Sequence, residues 1–151
     1  MTAYRFVRPD TAFTGGPKKT KRTRDLQRGH LKFIRSLPCC VCGSRKQVEA
    51  AHVRMPSAEH GKPETGKGAR PDDQWTVPLC QGHHQDLPDA QHRMGESAFW
   101  DRHGTNPVVL ALSLWCATGD EERAEAIIRE SIARSQETAA IVLKARQGDG
   151  T

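Results

Sequence analysis

Cys39-Cys40-Val41-Cys42 and, 37 residues further on, Cys80-Gln81-Gly82-His83 are the stretches that decide how this chain folds. Each sets two metal-ligating residue types two positions apart, as C-x2-C and C-x2-H. At that spacing a tight turn aims both side chains at one ion, about 2.3 Å from sulfur and about 2.0 Å from nitrogen. Two such pairs complete a tetrahedron and leave no open position. The expectation is therefore a structural zinc held by Cys39, Cys42, Cys80 and His83, fastening the chain before one strand to the chain after another. Cys40 offers a competing C-x-C arrangement with Cys42, but the two-residue gap suits the turn better. Cys116 falls among apolar residues at helical spacing and reads as a small buried hydrophobe.

Working outward, the segment before the first pair reads as a helix: Asp25 as its cap, Leu26, Phe33, Ile34 and Leu37 as an apolar stripe, and Pro38 as its stop. Between the pairs, Gln47–Val53 and Trp75–Leu79 read as short strands. Residues 54–72 hold Pro56, Gly61, Pro63, Gly66, Gly68 and Pro71 among Arg54, Lys62, Lys67 and Arg70, which predicts an irregular basic surface loop. From Cys80 the chain turns irregular or helical. Further on, Asn106 caps a helix with Pro107 in its first turn and Val108, Ala111, Leu112 and Trp115 as its stripe; Gly119 ends it. Asp120 caps another, with Ile127, Ile128 and Ile132 facing inward and a break near Ser135. The organisation expected is a disordered basic arm over 1–24, a zinc-stabilised domain over 25–118, and a C-terminal helix and tail over 119–151.

Size and composition agree. The 151 residues suit one domain with appendages, and 36% hydrophobic with 5% aromatic residues gives a small core that needs a staple. Five cysteines, an odd number, suit metal ligation in a reducing compartment better than a disulfide framework. The chain has neither a membrane-length apolar run nor a signal peptide, so a soluble cytoplasmic protein is expected. Charge is uneven: residues 1–36 carry ten lysines and arginines against Asp10 and Asp25, while the remainder is slightly acidic. A basic arm on a near-neutral body suits phosphate neutralisation with counterion release, so Lys18, Lys19, Lys21, Arg22 and Arg24, with Lys62, Lys67 and Arg70 of the loop, are candidate nucleic-acid contacts.

With His83 given to zinc, the adjacent His84 must face elsewhere, and His52 and His92 lie close to the same frame. A neutral imidazole takes a proton from water near pH 7 while a divalent ion stabilises charge on a scissile phosphate. Taken together, Leu37-Pro38-Cys39-Cys40-Val41-Cys42-Gly43, Ala51-His52, Asp73 with Val77-Pro78-Leu79-Cys80 and His83-His84, and Gln91-His92-Arg93 through Trp100 resemble the HNH-type nucleases of phages and prophages, several of which are recorded only as a domain of unknown function. The resemblance spans about residues 26–115. It implies an α+β fold with a ββα-metal (His-Me finger) core, a structural zinc knuckle and flanking helices, cutting DNA with Mg²⁺ or Mn²⁺. By position, His52 corresponds to the general base and His84 to the helical ligand of the catalytic ion, with His92 assigned to the same ion. The chain departs from the pattern twice. Ala51 stands where an Asp or His ligand precedes the base, and no asparagine lies between His52 and His84. Asp73 or Asp72 is expected to supply either the orienting hydrogen bond or the missing carboxylate; alternatively His52 is itself a ligand and His60 or a water-linked group the base.

The function expected is a metal-dependent DNA endonuclease of low sequence specificity in phage or prophage DNA processing or recombination. The competing reading is a non-catalytic zinc-stabilised nucleic-acid-binding module. A third is an accessory that a recombination or packaging protein places on DNA.

Overall fold

A computed structural model describes residues 24–148 apart from 67. Lys18, Lys19, Lys21, Arg22 and Lys67 lie outside the described residues, and Arg24 enters only as the first residue of a helix. The order is α1 (Arg24–Ser36), β1 (Val48–His52), β2 (Thr76–Cys80), a π-helical stretch (Gly82–Asp86), α2 (Gln91–Met94), α3 (Glu96–Arg102), α4 (Pro107–Cys116) and α5 (Glu121–Gly148).

The two strands pair antiparallel, Val48 opposite Cys80, Ala50 opposite Pro78 and His52 opposite Thr76. A lone two-stranded ribbon is marginal in water. Here Thr76, Val77, Pro78 and Leu79 are all buried, so helices cover β2 on both faces. Pro78 has no N–H to give, but its carbonyl accepts the Cys40 amide at 2.9 Å, joining the first cysteine turn to the sheet. The core gathers Ile34 of α1 and Leu37 just beyond it, Ala51, Val77 and Leu79 of the sheet, Phe99 and Trp100 of α3, Leu110 and Leu114 of α4, and Ala124 and Ile128 of α5.

Local signals explain most boundaries. α1 ends at Ser36, two residues before Pro38. The Asn106 side chain accepts from the Val108 and Val109 amides with Pro107 in the first turn, and Asp120 accepts from the Arg123 amide at 3.0 Å. Three expectations need correction. α5 does not break at Ser135; it runs 28 residues, because Ser135 is buried and bonded to His103 rather than exposed as a breaker. The inward face of α4 is Val108, Leu110, Ala111 and Leu114, a different phase from the expected stripe, and this leaves Cys116 exposed rather than buried. The 54–72 loop is also less irregular than expected: Ser57 and Lys62 form an antiparallel bridge, and the Arg54 guanidinium donates to the carbonyls of Ala69 and Gly66.

The fold class is α+β, a small two-stranded sheet among helices, with a Cys/His cluster able to hold a metal ion. Among the described residues, no helix is long and apolar enough to cross a membrane.

Candidate functional site

The two cysteine turns meet at one point. Ligand atoms of Cys39, Cys42, Cys80 and His83 all lie within 4.8 Å of one another. Cys42 Sγ and Cys80 Sγ are 3.8 Å apart, Cys80 Sγ and His83 Nδ1 3.2 Å, and Cys39 Sγ and His83 Nδ1 4.0 Å. Sulfurs at two corners of a zinc-centred tetrahedron stand about 3.8 Å apart, so the donor set and its spacing both fit a metal such as zinc. The turn that presents them is closed by the Cys39 amide on Ser44 O at 2.9 Å and the Gly43 amide on Cys39 O at 2.8 Å. Gly43 sits at φ +74°, which a side-chain-bearing residue rarely adopts.

Cys40 is outside the cluster. It is fully buried in the core, and burial together with the neighbouring Cys39 raises its thiol well above the usual range. The C-x2-C pairing is therefore the one the fold uses. Burial and then the surrounding thiols push Cys42 up to about 12. Three thiolates repel one another in so small a space, and a divalent cation among them turns that proximity into attraction.

Contacts that sequence reasoning missed tie this clasp to α5. His103 packs edge-on to His83 with ring centroids 6.1 Å apart, and its Nδ1 lies 2.8 Å from Ser135 Oγ. Arg45, just past the knuckle, pairs with Glu125 and donates to Ser36 O. The C-terminal helix thus belongs to the frame of the metal site.

His52 ends β1. Its Nε2 lies 3.0 Å from Asp73 Oδ1 and 3.2 Å from Arg70 Nε. Arg70 can donate only to an unprotonated Nε2, whereas Asp73 accepts only from a protonated one, so the two contacts belong to different tautomers. Burial lowers the His52 pKa below the ordinary histidine value; Asp73 pulls it up and Arg70 pushes it down. Of the two roles open to Asp73, the structure shows the hydrogen-bonded contact with His52. His60 instead bonds Ser57 within its own loop, Nδ1 to Oγ at 2.8 Å.

His84 faces away from the cysteines, as adjacency to His83 requires. Its Nδ1 meets Glu49 Oε2, and its ring packs against that of His92 with centroids 4.4 Å apart. The bond from His84 holds the Glu49 carboxyl below its ordinary range; burial, then His84, lowers His92. Side chains alternate along a strand, so Glu49 and His52, three residues apart, project to opposite faces. His52 and His84 consequently have separate partners, Asp73 for the one and Glu49 for the other. Glu49 was overlooked, although its even spacing from Ala51 placed it on the same face.

The loop cations divide. Arg70 is exposed beside His52, in the wall of a cleft of about 230 Å³. Lys62 is not at the surface: it is 3% exposed, its ammonium lies 5.6 Å from the Trp75 ring centroid, and burial lowers its pKa. The Lys62 side chain holds the loop to Trp75 and lines the same cleft as Arg70.

The model of the family described as "Protein of unknown function (DUF968)" matches residues 8–119, most of the chain, and the protein belongs to that family. No curated protein and no solved structure matches it.

Proposed function

We propose that this DUF968 chain is a metal-dependent DNA endonuclease of the ββα-metal type, with a zinc-clasped hairpin as its frame. The observation that carries the reading is the His52–Asp73 contact at the end of the first strand, on a hairpin anchored by the cysteine cluster and followed by helical turns bearing His84 and His92.

In this reading Asp73 accepts the Nε2–H of His52, in the role an asparagine has in the resembling nucleases. The lone pair of Nδ1 is then left to take a proton from the attacking water. A lowered pKa keeps the imidazole neutral at pH 7. Arg70, freed from His52 in that tautomer, supplies positive charge for a phosphate, and the basic residues of the arm supply further phosphate contacts. His84 and His92 are the residues that would hold the catalytic Mg²⁺ or Mn²⁺, which supplies charge stabilisation at the scissile phosphate. DNA is the proposed partner.

Incubation of supercoiled plasmid with the zinc-loaded protein and Mg²⁺ or Mn²⁺ tests this. Nicking is expected, with a fall of about a hundredfold or more in His52→Ala. One observation favours the non-catalytic nucleic-acid-binding reading: Ala51, fully buried, stands at the ligand position beside the base. A gel shift without nicking in any metal would establish that reading.

A further inference from the structure

Ala51 leaves the proposed catalytic ion one ligand short, and the same strand face carries a replacement two residues earlier. Position 49 shares the orientation of position 51 by strand alternation. Glu49 there contacts His84 Nδ1 through Oε2, the oxygen that also accepts from Gln85 Nε2 at 2.8 Å. The His92 ring lies against His84 at an interplanar angle of 61° with centroids 4.4 Å apart. The three groups come from three elements, β1, the π-helical stretch and α2, so only the folded chain assembles them.

The geometry points to Glu49, His84 and His92 as the protein ligands of a second divalent ion, with Glu49 supplying the carboxylate that Ala51 cannot. What that ion would do rests on the nuclease reading; its binding does not. The donor set, one carboxylate and two imidazoles without sulfur, selects a harder metal than the thiolate clasp does. It accepts Mn²⁺, with water filling the remaining positions, and a single equivalent of zinc goes first to the softer thiolate clasp. The Glu49 side chain is 40% exposed and the His84 side chain 13%, so the ion enters from the Glu49 side and keeps a face open to solvent. The half-exposed carboxylate also makes Glu49→Gln a mild change for the fold.

The test is titration of zinc-loaded full-length protein with Mn²⁺, following the signal of free Mn²⁺ by electron paramagnetic resonance, with zinc content and circular dichroism measured on every variant. One Mn²⁺ per chain is expected. Glu49→Gln and His84→Ala should each weaken it about tenfold or more at unchanged zinc content, and His52→Ala should leave it unchanged. Wild-type-like Mn²⁺ binding by Glu49→Gln, or no Mn²⁺ binding by the wild type, would overturn the assignment of Glu49. If Mn²⁺ binds and depends on Glu49 but plasmid is never nicked, the ion site stands and the nuclease reading falls. If plasmid is nicked but Glu49→Gln binds and cuts like wild type, the reverse holds.

Discussion

The cysteine clasp and the histidine groups on β1 are built in opposite ways. In the clasp, four ligands come from two short turns, each with its spacing written into consecutive residues, and their ligand atoms already lie within one coordination sphere. Around β1, His52, Asp73, Glu49, His84 and His92 come from four separate segments and form two separate groups on opposite strand faces. Local spacing prearranges soft tetrahedral ligation, whereas the histidine groups depend on the hairpin register, which the clasp helps to fix. The clasp is thus expected to govern stability and the histidine groups to govern chemistry.

That division can be broken experimentally, and the largest effect belongs to the clasp. Chelation of zinc or Cys42→Ser should unfold the middle of the chain, since a structural zinc contributes about 10 kcal/mol to folding. A melting curve that survives either treatment would put the frame elsewhere.

Acid gives the next effect, through a group outside both regions. His30 is fully buried against Trp115, its Nδ1 is 2.8 Å from Thr118 Oγ1, and burial lowers its pKa to about 4. The folded state therefore favours neutral His30. Its contribution, about 3 kcal/mol, is fully present above the unfolded value near 6.5 and is lost as pH falls through about 4. In denaturant titrations His30→Gln should flatten the loss of stability across that window, leaving the remainder to thiolate protonation in the clasp and to His52, His92 and His103, which burial also holds toward the neutral form. An unchanged slope would refute the assignment to His30.

Smaller effects concern the histidine side. Asp73→Ala should cut plasmid nicking about a hundredfold without altering zinc content, and should move the acid limb of the pH–rate profile further down, because Asp73 raises the His52 pKa. Arg70→Gln should move that limb up, because the guanidinium lowers it. Shifts of the wrong sign would show that His52 is not the titrating base. Deleting residues 1–24 should weaken DNA binding and flatten its salt dependence with the melting curve unchanged; unaltered affinity would remove the arm from the interface.

The same contrast explains what could be read without coordinates. Cys39, Cys42, Cys80 and His83 were legible because a two-residue gap is itself the geometry of the site. Asn106 and Asp120 were legible because caps act within three residues. His84 was legible as a group facing away from zinc, through adjacency alone. Its partner was not: Glu49 lies 35 residues away, and only the β1–β2 register brings it within reach. The burial of Lys62 was not legible, because composition makes a loop basic but does not say which ammonium folds onto Trp75. Cys116 was misplaced because an almost wholly apolar α4 leaves its phase undetermined by periodicity. The continuity of α5 at Ser135 depends on His103, a partner from another element.

Metal analysis coupled to cobalt substitution tests the central claim, that one ion clasps the two cysteine turns. The account predicts one zinc per chain as purified. On replacement with Co²⁺ it predicts intense visible bands of a tetrahedral, thiolate-rich centre, which Cys42→Ser or His83→Ala weakens or abolishes. Metal-free native protein, or a weakly coloured octahedral cobalt spectrum indifferent to those substitutions, would contradict it.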